Sequence, residues 1–558
     1  MKKRLPSPKH ADTLSLDALR RLVTGLVEKA EVAETRLGKL EAENVALREE
    51  NAALRLENTR LKVENQLLRD EIARLKNLPP RPPFRSSGMD KATDSKPAGA
   101  EGKKKPRGAK RDMDRVSREQ ILTVTVPPGS RFKGYKSCYV RELILKAELV
   151  HYRRECWVTP AGKTVLAPLP AGIVGGYGPN LRRFCLMLHA QGQVTTERLT
   201  TLVNDVGVEI SKRQVVRLLT KGLDGFVEED AAVLHAGLVS APYVTVDDTG
   251  ARHAHGNGYT TQIGGEHFTA FRTTSTKSRL NFLSLLRGSY QDYVLNDAAF
   301  AHLERCKADP ALVARLETRE PQVFPNQLQL LKHLVGRKID IFDKPLIRML
   351  GEAGIWGSIR HHGLLGNTVI VSDDAGQFRV GNHALCWVHA ERLLQKLMPA
   401  TPEQVRWVET TRDLIWRYYK ALKAFRQKPS PGSIAAFHRR FDRIFAMRTG
   451  YQELDRLLLR LSRRKEELLK VLERPEIPLH TNASENDLRT FVTKRKISGG
   501  TMSRDGRAAR DSMLGLMKTC KKLRLSFYHY LGDRLGVAGQ AVPALSTLVL
   551  ARSSVVHP

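Results

Sequence analysis

Leucines recur at every seventh position near the start of the chain. This spacing places them at position d of a heptad, with asparagine at most a positions, and predicts a coiled coil over residues 14–78. Each glutamate at g precedes an arginine or lysine at e by five residues, so facing pairs in parallel helices have opposite charge. Because buried asparagine at a favours two strands, we expect a parallel homodimer. Its interface residues are Leu40, Leu47, Asn51, Leu54, Asn58, Leu61, Leu68 and Leu75.

Two alternatives exist for this leucine zipper. A lone amphipathic surface helix is disfavoured, because such a helix has no need of g and e charges that match between two chains. A basic-zipper DNA-binding helix is also disfavoured, since residues 14–34 before the zipper have mixed charge.

The prolines from Pro79 onward end the helix. Residues 79–115 are poor in large apolar side chains and rich in Lys, Gly, Pro and Ser, which is typical of a flexible basic linker. The linker is either a plain spacer or a segment that lies along phosphates. Residues 116–175 then have β-rich stretches at 121–126 and 140–152, which predict a small β module.

Residues 176–236 have a helical period in three segments. The second and third segments are separated by a short turn at Gly207, and Ser211 begins the third. This arrangement predicts a helix-turn-helix DNA-binding unit, and an ordinary helical connection is the alternative. The expected DNA contacts are Lys212, Arg213, Gln214, Arg217 and Lys221, of which Arg213 and Gln214 could contact bases.

Two apolar strands each end in a pair of aspartates. The first, beginning at Tyr243, ends in Asp247 and Asp248, and a later one ends in Asp373 and Asp374. Between them, two further strands and a helix are expected, which is the order of a ribonuclease-H-like core. One acid from each strand, with a third from a helix, can hold two Mg²⁺ ions that cleave a phosphodiester. Polar turns are the alternative explanation of each aspartate pair.

A third acid is available on a later helix. Glu485 lies at its start, where it could also be a capping glutamate three residues after Asn482. Residues 401–475, between the second and third acids, have a strong helical period. The helix that begins near Glu485 also contains basic residues, which could neutralise phosphates or form a solvated face. They are Arg489, Lys494, Arg495 and Lys496.

The amino-acid composition indicates what kind of partner the protein binds. The 558-residue chain has 92 Lys and Arg against 59 Asp and Glu, a net charge of +33, which favours a nucleic-acid partner. No apolar run is long enough for a membrane span or a secretory signal, and six scattered cysteines do not suggest disulfides. Cytoplasmic, nucleoid-associated localisation is therefore expected. Cys138 and Cys156 lack the paired Cys-x₂-Cys motifs of a zinc site. The group of His383, Cys386 and His389 lacks a fourth ligand, so these three residues are assigned to packing and hydrogen bonding.

Residues 116–536 resemble the transposases of bacterial insertion sequences of the sixty-six type, a family with a DDE catalytic motif. The matching stretches include 154–157, 167–172, 178–183, 246–249, 371–378, 386–392 and 482–489. The resemblance implies that Asp247, Asp373 and Glu485 are the catalytic, metal-binding triad, with Mg²⁺ as cofactor and Mn²⁺ as a substitute. It also implies that residues 401–475 are an all-α insertion and that residues 237–400 and 476–536 form the catalytic core around it, leaving 537–558 as a C-terminal tail.

The chain departs from the family pattern in one respect. Many members have a cysteine-rich zinc module before the helix-turn-helix, and only Cys138 and Cys156 are present here. Residues 303–356 are also extra length between the first two acids, without an assigned role.

The resulting expectation is a fold of the α/β class and a DNA transposase. It would bind the terminal inverted repeats of its element as a dimer, cut one strand and join the freed end to target double-stranded DNA. Small accessory proteins of the same element are possible partners. The alternatives are a catalytically inactive DNA-binding regulator derived from a transposase and a structure-specific nuclease of the same fold.

Overall fold

The structure is a computed structural model that describes residues 116–537, 539 and 541–554, together with scattered positions between 15 and 50. The chain divides into two compact units, Met1–Ala100 and Glu101–Pro558. In the first unit, the described positions from 16 to 50 are helical. The zipper residues and the linker at 79–115 lie outside the described residues, so the coiled coil stays a prediction.

Residues 116–155 form no strand. A short hairpin follows, in which β1, Cys156–Val158, pairs antiparallel with β2, Thr164–Leu166. The strands expected at 121–126 and 140–152 are absent, and those two predictions are wrong. Their apolar side chains are exposed, Leu122 by 82% and Ile144 by 83%, so no core within the described chain gives an alternating strand a face to bury.

Four helices come next, with the bounds that the helical period predicts for the first three. They are α1, Pro179–Ala190; α2, Thr196–Asp205; α3, Lys212–Thr220; and α4, Asp224–Ser240. The Ser211 hydroxyl accepts a hydrogen bond of 3.3 Å from the Gln214 amide and so caps α3. Gly207, between α2 and α3, has φ +97°, which side chains other than glycine rarely adopt. Buried Arg182 on α1 donates to the Leu218 and Gly222 carbonyls and fixes α1 against the end of α3.

A five-stranded mixed sheet follows. Three strands form an antiparallel meander: β3, Tyr243–His253; β4, Gly256–Gly264; and β5, Thr269–Thr274. The later strands β8, Val369–Ser372, and β9, Asn382–Leu385, join parallel to β3, which gives the order β5-β4-β3-β8-β9. The apolar residues of β3 and β8 are buried because helices cover the sheet.

Residues 275–366 form a layer of helices with a small hairpin. The elements are α5, Arg279–Arg287; β6, Tyr293–Leu295; α6, Asp297–Arg305; α7, Pro310–Leu316; β7, Gln322–Phe324; α8, Gln327–Gly336; and α9, Lys344–His361. The long helix α9 packs on α5, α6 and β6. Gly357 leaves no room for a Cβ atom beside the Val294 carbonyl, which explains glycine at this close contact.

The region from 387 to 475 is helical, and from 401 onward this agrees with the predicted helical period. It contains α10, Trp387–Gln395; α11, Pro402–Gln427; α12, Ile434–Phe445; α13, Gln452–Ser462; α14, Lys465–Leu468; and α15, Lys470–Glu473. Short 3₁₀ turns lie at Gly376–Phe378 and Pro431–Ser433. Trp387 is buried among aromatic rings of α11 and α12, and its indole donates to the Leu468 carbonyl at 2.8 Å.

Four helices complete the described chain: α16, Asn482–Ser498; α17, Arg504–Lys522; α18, Phe527–Arg534; and α19, Leu545–Ser554. Helix α16 packs on β3 and β4, and α17 packs on β5. The expected C-terminal tail includes α19, which packs on α4 with Leu545 and Val549 buried. Among the described residues, no helix combines the length and the apolar character needed to cross a membrane.

Candidate active site

The first two predicted acids lie next to each other at two neighbouring strands inside the sheet. Strand β3 pairs in parallel with β8, with Thr245 opposite Val371, and two further residues along this register lie Asp247 and Asp373. The Asp247 carboxylate accepts a hydrogen bond of 2.7 Å from the Asp248 amide, and the Asp373 carboxylate accepts one of 3.0 Å from the Ala375 amide. Backbone amides therefore orient both side chains, Asp247 in the middle of β3 and Asp373 just after the end of β8.

The electrostatics of Asp247 confirm that the two acids are close. The pKa of Asp247 is raised to about 6, mainly by burial and also by the negative charge of Asp373, which together outweigh the opposing hydrogen bond from the Asp248 amide. Two carboxylates thus crowd a part-buried site, and a cation bound between them would relieve the repulsion.

The second acid of each pair has protein partners. The Gln377 side chain donates to Asp248 at 2.7 Å. Asp374 forms ion pairs with Arg460 and Arg464, the latter at 3.6 Å. These contacts tie Asp248 to the turn after β8 and Asp374 to helix α13 and the residues after it.

Glu485 is in the first turn of α16, where Arg392 of α10 binds it through two nitrogens. The Arg392 Nη1 and Nη2 atoms lie 2.8 and 3.3 Å from the two carboxylate oxygens. His389, one turn earlier on α10, has Nε2 at 3.6 Å from Glu485. The positive charge of His389 also lowers the pKa of Asp247, so this imidazole lies near both acids.

Cys386 and His389 interact at the start of α10. Burial raises the pKa of the Cys386 thiol, but His389 and Thr481 more than offset this effect, and the pKa lies below its ordinary value. Burial lowers the pKa of His389, yet Cys386 and Glu485 outweigh it, and this pKa lies above its ordinary value. The sequence interpretation assigned these two residues to packing and gave Arg392 no role. Their spacing of three residues, Cys386, His389 and Arg392, is the signal that places them on one helix face.

The side chains present fit a hard divalent cation. Carboxylate oxygens are the preferred ligands of Mg²⁺, and the raised pKa of Asp247 beside Asp373 indicates the charge that such a cation would neutralise. Within the described residues, no three His, Cys, Asp or Glu side chains already form a metal-binding group, and Glu485 is held by Arg392. The acids are therefore gathered in one region without being in direct coordination geometry.

The residues expected to bind DNA divide by exposure. On α3, Lys212, Arg213 and Arg217 are exposed, and Gln214 is partly buried. Lys212 lies 3.6 Å from Glu197, and Lys221 forms a 2.5 Å ion pair with Asp505. On α16, Arg489 and Lys496 are exposed and Arg495 is partly buried.

Lys494 has a different environment from the one expected. It is 3% exposed, and its ammonium group donates to the His189 carbonyl at 2.6 Å and the Val194 carbonyl at 3.3 Å. Burial, together with the nearby charge of Arg510, lowers the pKa of Lys494 to about 8. This placement does not suit a direct phosphate contact, because the polar end of Lys494 is enclosed between α16 and the end of α1.

The sequence of this region matches a known family. Residues 368–509, which include Asp373, His389, Arg392 and Glu485, match the family described as Transposase IS66 family. The chain is also 75% identical over 321 residues to an uncharacterized protein of Sinorhizobium fredii named y4jO, an alignment that covers 58% of this chain and the whole of that protein. On these findings, the protein belongs to the IS66 family of transposases.

Proposed function

We propose that the protein is a DNA transposase that binds the terminal inverted repeats of its insertion sequence and catalyses metal-dependent strand cleavage and strand transfer. The observation that carries this proposal is the gathering of three acids: Asp373 lies beside Asp247, and His389 lies near both Asp247 and Glu485. The three acids come from the middle of a strand, the end of a second strand and the start of a helix, and they are far apart in the sequence.

The topology supports a ribonuclease-H-like core. Three antiparallel strands precede two parallel ones, and the first strand lies at the centre of the order β5-β4-β3-β8-β9. The first acid is on this central strand, and the second follows its parallel neighbour. Helices 402–473, between the second acid and the third, are the proposed all-α insertion.

The roles of the acids follow from their positions. Asp247, Asp373 and Glu485 would hold two Mg²⁺ ions, or Mn²⁺ in their place, which activate an attacking oxygen and stabilise the leaving oxygen in phosphodiester cleavage. The amides of Asp248 and Ala375 orient the two aspartates. Arg392 fixes the Glu485 carboxylate through its two-point contact.

Recognition of the element ends is proposed for α1, α2 and α3 as a helix-turn-helix. Its exposed cations, Lys212, Arg213 and Arg217, lie on α3 beyond the N-cap Ser211. A zipper dimer would bring two such units together, one for each end of the element.

The test is a cleavage and strand-transfer assay on DNA that contains the inverted repeats flanking the gene. The variants Asp247→Asn, Asp373→Asn and Glu485→Gln should bind the repeats as the wild type does. Their cleavage in Mg²⁺ or Mn²⁺ should fall by about 10²–10³-fold or more, since each removes charge stabilisation from the reaction centre. Asp374→Asn is the matched control and should retain cleavage, because its carboxylate pairs with arginines.

Three results would contradict the proposal. Wild-type protein that binds the repeats without nicking them in either metal would be a DNA-binding regulator. Cleavage of junctions or hybrids regardless of the repeat sequence would indicate a structure-specific nuclease. Loss of activity in Asp374→Asn with activity retained in Asp373→Asn would show that the wrong acid of the pair has been assigned.

A further inference from the structure

A large cavity lies beside the gathered acids. Its volume is about 1160 Å³, above the roughly 300–1,000 Å³ of ordinary small-molecule pockets. Its walls come from the start of α5, the end of α6, the first half of α9, the turn and strand at 376–383, and residues 463–470. The segment 303–356, which had no role in the sequence interpretation, therefore supplies one side of the cavity.

Three contacts join the cavity wall to the part of the sheet that holds the two aspartate pairs. Gln377, in the wall, donates to Asp248 at 2.7 Å. Arg464, also in the wall, lies 3.6 Å from Asp374. The ring of His383 is 2.8 Å from the hydroxyl of Ser372, the residue before Asp373. The cavity thus borders the strand ends where the reaction is proposed to take place.

The wall has a surplus of positive charge. Eight lining residues are lysine or arginine, and four are aspartate or glutamate. The cationic residues are Lys277, Arg279, Arg305, Arg348, Arg379, Arg463, Arg464 and Lys470. The acidic ones are Asp343, Glu352, Glu466 and Glu467.

Some of these cations hold the wall together. Arg279 pairs with buried Glu352 at 3.3 Å and donates to the Gly376 carbonyl at 2.9 Å. Arg305 donates to the Gly381 carbonyl at 2.7 Å. Arg464 is buried and pairs with Glu467. These arginines use their hydrogen bonds within the fold.

Lys470 pairs with Glu473 at 2.9 Å, and the four remaining cations are available to a ligand. Lys277, Arg348, Arg379 and Arg463 are exposed, and none forms an ion pair with another residue in the part of the chain that the structure describes. They come from four separate parts of the cavity wall. A concave surface with several uncompensated cations attracts a polyanion more strongly than a flat surface with the same charge.

We propose that this cavity binds a single DNA strand where it leads away from the scissile phosphate, through contacts to its backbone phosphates. The inference rests on the proposed function for the identity of the polyanion. A cavity of this volume accommodates a few unpaired nucleotides and is too small for several base pairs of duplex. No Trp, Tyr or Phe is among its described lining residues, so the contacts are to phosphates and independent of base sequence.

The test measures binding of a fluorescent twelve-nucleotide oligothymidylate to the full-length protein in EDTA, by anisotropy over a series of salt concentrations. The cavity variant is Arg348→Ala, Arg379→Ala and Arg463→Ala combined. The control variant combines Arg417→Ala, Lys420→Ala and Arg439→Ala, three exposed cations that do not line the cavity. Both variants lose the same charge, so the comparison separates the cavity from the general charge of the protein.

The cavity variant should bind the oligonucleotide at least tenfold more weakly than the control variant. Its slope of log affinity against log salt should fall by about 2, because each lost phosphate contact on a single strand removes about 0.7. A photoreactive 4-thiothymidine in the oligonucleotide should crosslink to peptides within 344–352 or 376–383. Equal losses in the two variants, or crosslinks confined to other peptides, would overturn the proposal.

A small phosphate-containing anion could bind the same cations as the phosphates of a DNA strand. Binding of inorganic phosphate or ATP that disappears in the cavity variant, while oligonucleotide affinity stays unchanged, would identify a small anionic ligand and overturn the proposal. The test is independent of catalysis, because Asp247→Asn should keep its oligonucleotide affinity. Failure of cleavage in the wild type would therefore refute the proposed function but not the single-strand binding site. Unchanged oligonucleotide binding in the cavity variant would refute the binding site but not the proposed function.

Discussion

The contact between Arg392 and Glu485 is the most specific single interaction near the proposed triad. Two nitrogens of a planar guanidinium meet the two oxygens of one carboxylate, a geometry that fixes orientation as well as charge. A lysine at the same position keeps the charge and loses the two-point contact. The contact is thus a positioning interaction that substitution can weaken in steps.

We predict that Arg392→Lys and, more strongly, Arg392→Met raise the Mg²⁺ concentration needed for half-maximal cleavage. Loss of a residue that orients a metal ligand typically costs about 10–100-fold in metal affinity or activity. The measurement is a Mg²⁺ titration of cleavage, with Arg406→Met, an exposed site on α11, as the control. A lower Mg²⁺ requirement in Arg392→Met would mean that Arg392 competes with the metal for Glu485.

Lys494 gives a second residue-scale prediction, on pH. Its pKa is about 8 in the folded chain and 10.5 as the ordinary value, so folding releases its proton between these pH values. Between these two pH values the unfolded state binds more protons than the folded state. The free energy of unfolding therefore rises with pH in this range, and the gain is lost again as the pH falls through 8. The buried amides of α16 should therefore gain about 1–2 kcal/mol of protection from pH 7.5 to 9.5.

The check is hydrogen exchange, expressed as protection factors to remove the intrinsic pH dependence of the rate. Lys494→Met should lack the gain, and Lys496→Met, exposed on the same helix, should keep it. An equal gain in both variants would place its origin in another group.

Residue types and spacing anticipated the three acids but not their setting. Asp373 follows an apolar strand and Glu485 begins a helix, as the local patterns predict, but the strand expected to end at Asp247 continues to His253 because its polar second half pairs with β4. The roles of His389 and Arg392 depend on contacts between α10 and α16, which are about 90 residues apart in the chain. Lys494 could not be recognised as buried, because its partners are carbonyls at the end of α1.

At the scale of elements, periodicity succeeded where a chain segment is amphipathic and has a cap. Helices α2 and α3 begin after Thr195 and Ser211, whose side chains accept the expected hydrogen bonds. The same approach was wrong at 121–126 and 140–152, where β-branched residues occur without a surface to pack against. β-propensity reflects packing more than an intrinsic preference of the backbone, so such segments are not determined locally.

The cap of α3 provides an element-scale prediction. Ser211→Ala removes the hydrogen bond to the Gln214 amide at the helix start that contains Lys212 and Arg213. The change should cost about 0.5–2 kcal/mol, equivalent to about 2- to 30-fold lower exchange protection across α3. Affinity for the terminal repeats should fall with it, since the helix must be ordered to place its cations.

The matched variant is Ser211→Asn, which retains a capping oxygen. It should keep both the exchange protection of α3 and the affinity for repeats near the wild-type values. Reduced affinity in Ser211→Asn with unchanged exchange would indicate that the serine hydroxyl contacts DNA directly.

At the scale of the whole molecule, the charge of +33 makes affinity for any nucleic acid strong and dependent on salt. Such attraction does not distinguish an element end from other DNA. Selectivity must come from a geometric requirement, and two recognition units held together by a dimer provide one. The zipper is therefore the feature that would convert general affinity into the pairing of two ends.

We predict that the wild-type protein has twice the mass of one chain in light scattering, and that Leu54→Lys with Leu61→Lys reduces it to one chain mass. Two lysines at d positions would place charge in the seam between the helices. The control, Ala52→Lys with Thr59→Lys, adds the same charge at b positions and should remain dimeric. The monomeric variant should bind a single repeat but lose concerted cleavage of two ends. If the control variant also dissociates, the loss of the dimer is caused by added charge rather than by disruption of the seam. The zipper would then not explain end pairing.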